Sequence, residues 1–358
     1  MSGIYLEPVG LLYGTVAREA IELGAALPLA GTAIAFGAVR LWEGEPGNVK
    51  HAIVRISTIQ SIDEPRVKEL LDRLSAPRSP AAGVSLDRPR IMGIVNVTPD
   101  SFSDGGDHFE TGAAVEHARR LAAEGADFID IGAESTRPGS SPVPAEEELR
   151  RLLPVLQGLA GLTVPVSVDT RKPEVMREAA GAGAAVLNDV SSLTFAANSL
   201  STAAELKKTV VLMHSRGTPE TMQDNPVYKD AAIEVYGFLE SRIEAATAAG
   251  LPRENIIADP GIGFGKTLAH NLYLLQSIAL FHGLGVPLMT GVSRKAFIQR
   301  ITGAETPKES SAGSISAALD AVSQGVQIVR VHDVQATRQA IALWSSLRGG
   351  LNIATENT

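Results

Sequence analysis

From Arg90 onward, short apolar runs alternate with longer segments of helical spacing, and a polar turn closes each run. The runs are RIMGIVNV (90–97), DFIDIGA (127–133), PVSVDT (165–170), AVLNDVS (185–191), TVVLMHS (209–215), IIADPG (256–261), PLMTGVS (287–293) and IVRVHDV (328–334), eight in all. Segments such as GAAVEHARRLAAEGA, AEEELRRLLPVLQGL, PEVMREAAGAGA, YKDAAIEVYGFLESRIEAATAAG and SISAALDAVSQG lie between them. They are long enough to return the chain parallel to itself. Eight such repeats in about 260 residues predict an α/β fold of the (β/α)8 TIM-barrel type. A doubly wound open sheet is the alternative, but it usually has fewer strands.

The pattern before residue 88 is different. AIAFGAVRLW and HAIVRIS read as short strands and EPRVKELLDRL as a helix, followed by the Pro-, Ser- and Gly-containing stretch SAPRSPAAGVSLDRPR, which reads as a linker. The expected organisation is an N-terminal extension over 1–88, a barrel over 89–350 and a tail over 351–358.

Composition narrows the function classes. The formal net charge of −8 argues against non-specific binding to nucleic acid or acidic lipid, although a local cationic pocket could still hold an anionic substrate. The absence of cysteine excludes disulfides, thiolate nucleophiles and cysteine metal sites, and suits a reducing cytoplasm. The apolar run at 26–39 is too short to span a bilayer and lacks the basic flank of a signal peptide.

In a barrel of this kind, function belongs at the C-terminal ends of the strands. Run one ends at Asn96, run three at Asp169, run four at Asn188 and Asp189, and run six at Asp259; run seven leads into Ser293-Arg294-Lys295, and run eight carries Arg330 and His332. One polar strand end is ordinarily a loop cap. Six among eight strands point to a shared site. The stretch ADPGIGFGKT (258–267) ends like a P-loop, but Pro260 stands where that motif needs a glycine, and proline can neither make the turn nor donate an N–H there. It reads instead as a ligand loop at the barrel top.

GIVNVTPDSFSDGG, DIGAESTRPG, VSVDTRKPEV, LNDVSSL, VLMHSRGTPETMQ, ADPGIGFGKT, GVSRKAFI and VRVHDV together resemble the dihydropteroate synthase family, over about residues 89–350 and in the family's order. The resemblance implies condensation of 7,8-dihydropterin-6-ylmethyl diphosphate with 4-aminobenzoate, in the folate pathway, with sulfonamides as inhibitors.

It also implies roles. Asp259 would accept the pterin's N–H and exocyclic amine, Asp169 and Asn188 would serve other ring nitrogens, Lys295 the carbonyl side, and Met213 and Phe264 would pack beside the ring. Arg330 and His332, on one face of the last strand, would clamp the diphosphate. Asn96 matches the family's Mg2+ ligand. Phe102, Thr136, Pro138 and Ser293 would help form the aminobenzoate pocket, with Asp100, Asp104 and Arg137 ordering loops around the diphosphate. Some relatives carry serine where this chain has Ala296. The implied enzyme is a cytoplasmic homodimer. A pterin-binding methyltransferase-like barrel and a non-catalytic pterin-binding protein are the alternatives.

Overall fold

The computed structural model describes residues 3–97, 106–134, 142–217 and 221–349. Twelve strands occur among them. The first four, β1 (Gly3–Tyr13), β2 (Leu27–Pro28), β3 (Ile34–Glu45) and β4 (Asn48–Arg55), form an antiparallel sheet with β3 at its centre. The other eight are β5 (Arg90–Asn96), β6 (Phe128–Gly132), β7 (Val166–Asp169), β8 (Val186–Asp189), β9 (Thr209–Met213), β10 (Ile256–Asp259), β11 (Met289–Gly291) and β12 (Ile328–Val331). They run parallel in the order β10-β9-β8-β7-β6-β5-β12-β11. Ala258 pairs with Leu288 and donates its N–H to Pro287 O, which brings the two ends of that order together in a barrel. All eight apolar runs became its strands.

Period two along each strand separates the two faces. Ile91, Ile129, Val168, Leu187, Val210, Ala258 and Val329 belong to the cluster shared with the surrounding helices. Met92, Phe128, Val186, Val211, Ile257, Met289 and Ile328 form a second cluster with Ala81 and Leu86. This second cluster is the apolar floor inside the barrel. The stretch that read as a linker therefore packs against the floor, held by the Ala81–Val84 bridge and by Ala82 N donating to Thr209 Oγ1 at 3.1 Å.

The N-terminal sheet has its own core of Leu6, Leu29, Phe36, Val39, Ile56, Val67, Leu70 and Leu74. Sequence patterning missed β1 and the helix Gly14–Glu22, because GIYLEPVGLLY carries a proline and a glycine inside the strand. The sheet is seated on the barrel wall. Tyr5 meets Tyr236 edge-on with centroids 5.1 Å apart, while Arg66 and Arg73 reach Glu240 at 2.7 and 3.1 Å. Trp42, 1% exposed, joins the barrel's own cluster.

Candidate active site

Two residues above the apolar floor, the inward positions turn polar. Asp130, Asn188, Asp259 and Arg330 follow Phe128, Val186, Ile257 and Ile328 by one period, and Met213 follows Val211. Asn96, Asp169 and His332 stand at or just beyond strand tips on the same inward series. The apolar floor costs nothing to bury; the layer above it must find partners or a ligand.

Arg330 occupies the middle of that layer. Its Nε donates to Asp130 Oδ2 at 2.6 Å and its Nη2 to Asp169 Oδ2 at 3.0 Å, while Asn188 Nδ2 donates to Asp130 Oδ2 at 3.1 Å. Asp130 was absent from the sequence expectations. Asp130 Oδ1 and Asp169 Oδ1 are both buried with no hydrogen-bond partner, so each presents an acceptor. Burial pushes the Asp169 carboxyl up to about 7, against the pull of Arg330 and with the push of Asp130. One guanidinium between two buried carboxylates cannot neutralise both.

Across the cup, Asp259 is 4% exposed and accepts Gly261 N–H at Oδ1, 2.7 Å. Burial raises its pKa, and Lys295 is the largest influence in the other direction. Lys295 Nζ donates to Ile262 O and lies 4.8 Å from the centre of the Phe264 ring. A Cβ added at Gly291 would lie 3.8 Å from both Lys295 Nζ and Arg330 Cβ, so both side chains pass beside that glycine. Burial, with a further push from Arg330, lowers the Lys295 ammonium to about 8 although Asp259 opposes it.

At the rim, Ser293 Oγ accepts the His332 N–H at 3.1 Å and lies 3.0 Å from His332 Nδ1. Since the hydroxyl oxygen already accepts the backbone N–H, its proton can point to Nδ1 and direct Nε2–H outward. Arg294, between Ser293 and Lys295, turns away: at φ 57° it pairs with Asp333 through Nε and Nη2 at 3.1 and 2.6 Å. The helix Ala296–Thr302 then starts with Lys295 at its N-cap and no side-chain cap bond.

Not every polar strand end belongs to the site. Asp189 is one position out of phase with Asn188 and accepts from Ser191 N, Ser191 Oγ and Leu193 N. It caps its loop and supports the positive φ of Ser192 and Leu193. Asn96 is half-buried, its Oδ1 and Asp169 Oδ2 each 3.9 Å from a Cβ built at Gly132. Phe102, Asp104, Asp100, Thr136, Arg137 and Pro138 lie outside the described residues, so the structure brings together Asn96, Asp169, Asn188, Met213, Asp259, Phe264, Ser293, Lys295, Arg330 and His332.

The Pterin binding enzyme family matches residues 92–332, which spans every one of those ten positions. The chain belongs to this family. Among its relatives, the dihydropteroate synthase of Escherichia coli K12 is 47% identical over 264 residues, covering 73% of this chain and 93% of that protein. Two solved structures of the Xanthomonas albilineans dihydropteroate synthase also match, each covering 76% of this chain and 98% of that one. The structure with 4-aminobenzoic acid is 51% identical with a TM-score of 0.71. The one with 7,8-dihydropteroate is 45% identical with a TM-score of 0.67. The family assignment accounts for the barrel and for the strand-tip groups together; residues before 92 lie ahead of the matched segment.

Proposed function

We propose that this member of the pterin-binding enzymes is a dihydropteroate synthase, joining (7,8-dihydropterin-6-yl)methyl diphosphate to 4-aminobenzoate with release of diphosphate in folate biosynthesis. The observation that carries this reading is that one cup gathers unpaired acceptors and cations. Buried carboxylates of Asp130, Asp169 and Asp259 line it, Arg330 bridges the first two, and Lys295 and His332 stand beside them. A pterin's N–H and exocyclic amine form a donor edge that Asp259 can accept, while an anionic diphosphate requires cations.

The chemistry needs no side-chain nucleophile. The bond from the methylene carbon to the diphosphate oxygen breaks with its electron pair leaving on oxygen, and the electron-rich dihydropterin stabilises the carbon cation. The arylamine nitrogen then bonds to that carbon and loses a proton. Arg330 spends Nε and Nη2 on Asp130 and Asp169, so Nη1 is the donor available for the leaving group, beside His332. Preorganised cations of this kind act where charge develops, and correct placement of the two substrates supplies the rest.

Mg2+ belongs to the same reading. Asn96 offers one neutral amide oxygen at a half-buried strand tip, and among the described residues no group of three His, Asp or Glu could hold a metal. That donor set fits an ion that keeps most of its waters and takes its other ligands from substrate phosphates. When bound, Mg2+ supplies charge neutralisation of the diphosphate.

Sulfonamides, as analogues of aminobenzoate, are the expected inhibitors. Among the described residues no helix is long and apolar enough to cross a membrane, and we place the enzyme in the cytoplasm. A homodimer is part of the proposal, with Leu343 and Leu347 exposed on the last helix at 63% and 75%. The test is diphosphate release from the pterin diphosphate with and without 4-aminobenzoate. Absence of release and of dihydropteroate with both present overturns the reading.

A further inference from the structure

The Gly-Lys-Thr at 265–267 is left unexplained by the chemistry above. Thr267 is a helix cap: its Oγ1 accepts His270 N at 3.2 Å and opens the helix Leu268–Gln276. Lys266 is 2% exposed and makes no hydrogen bond to the side chain of an expected ligand residue. A lysine so deeply buried is retained only where its protons are matched. Its Nζ lies 2.9 Å from His214 Nδ1, 2.8 Å from Gly261 O and 2.9 Å from Phe264 O, with His214 O at 3.3 Å. Burial and the neighbouring ammonium hold His214 down at about 2, so the ring is neutral and its Nδ1 can accept.

The two loop carbonyls gathered by Lys266 bracket the residues that meet Lys295. Between them lies Ile262, whose carbonyl accepts from Lys295 Nζ, and at the second is Phe264, whose ring faces the same ammonium. The first belongs to Gly261, whose N–H is tied to Asp259 Oδ1. Gly261, Gly263 and Gly265 have φ of +68°, +89° and +62°, and a Cβ at Gly261 would fall 1.9 Å from His214 O. A turn this tight points its carbonyls inward towards one another. It needs a hydrogen-bond donor inside it, and Lys266 supplies one although burial pulls its ammonium well below the usual lysine range.

We propose that Lys266 is a positioning residue for pterin recognition, fixing the 261–265 turn so that Asp259 and Lys295 together meet the pterin edge. This rests on the function proposed above. Without Lys266, the Phe264 carbonyl loses its donor and the Gly261 carbonyl keeps only the Phe264 N–H at 3.1 Å, and Lys295, already bonded to the carbonyl of Ile262, is the nearest replacement. Drawn inward, it no longer reaches the ligand. Asp259 would lose a second cation from its surroundings at the same time.

The experiment is a calorimetric titration of the pterin diphosphate alone into wild type, Lys266→Met, Lys295→Met and the double variant. We expect folded Lys266→Met to bind at least tenfold more weakly. The double variant should lose less than the product of the two single losses, because both act through one perch. Unchanged affinity in folded Lys266→Met, or losses that simply multiply, overturns the proposal. Should Lys266→Met fail to fold, Lys266→Gln, which keeps two donors, is read by the same cycle. Wild type that binds the pterin diphosphate but forms no dihydropteroate defeats the proposed function and leaves this cycle readable. Wild type that does not bind it defeats both.

Discussion

Arg330 Nε donates to Asp130 Oδ2 at 2.6 Å, across a sequence separation of 200 residues. The contact joins β12 to β6 through the barrel interior, two strands that do not pair. Replacing Asp130 by alanine strands Arg330 Nε and Asn188 Nδ2, while Asp169 still offsets the charge. Breaking a buried pair typically costs about 3–5 kcal/mol, and with Asp169 in place the low end is expected. Urea unfolding measures it; an unmoved midpoint would show that the interior relaxes around the loss.

Asp169 sets a pH dependence of stability. Its carboxyl is raised from 3.8 to about 7, chiefly by burial. The folded state keeps a proton that the unfolded state has released, so the contribution is full below the unfolded value and is lost as pH rises through about 7. Urea midpoints at several pH values between these two should decline with pH in wild type. The slope should flatten in Asp169→Asn, and equal slopes would assign the titration elsewhere.

Lys295 sets a pH dependence of rate. Its ammonium is lowered to about 8, mainly by burial, and the role proposed for it at the pterin carbonyl requires the charged form. kcat/KM for the pterin diphosphate should therefore fall as pH rises through that value. Lys295→Arg keeps its charge and should show a lower plateau but no such fall. An alkaline limb that stays in place in the arginine variant would transfer the titration to another group.

The N-terminal extension carries none of the ten gathered site residues, which favours a chemically silent role. It is nevertheless built into the wall. Deleting residues 1–75 uncovers Tyr236, which is 0% exposed and has no partner for its hydroxyl, and leaves Glu240 without Arg66 and Arg73. A truncated chain starting at Ala76 should melt at least 10 °C lower or precipitate on expression. Equal melting temperature with full activity would show that the barrel closes this flank by itself.

Strand positions and polar strand tips were legible because buried parallel strands are short, apolar and abruptly ended. Asp130 was not: it sits mid-strand in FIDIG, where a tip-based search does not look. Its signal was phase, since it shares the inward face with Phe128. Phase would also have separated Asn188 from Asp189, the one facing the cup and the other capping a loop. Lys266 gave no signal of its own, because the acceptors that explain it come from a turn and from His214, brought close only by the folded loop.

The apolar floor of Met92, Phe128, Ile257 and Ile328, backed by Ala81 and Leu86, makes the cup one-ended. Whatever binds deepest must enter first and depart last. Because the acceptors suited to a pterin lie one layer above that floor and Ser293 and His332 lie at the lip, traffic through the mouth imposes a queue. On the proposed function, aminobenzoate would arrive on top of a seated pterin, and the joined product would have to withdraw as a whole before the next pterin could descend.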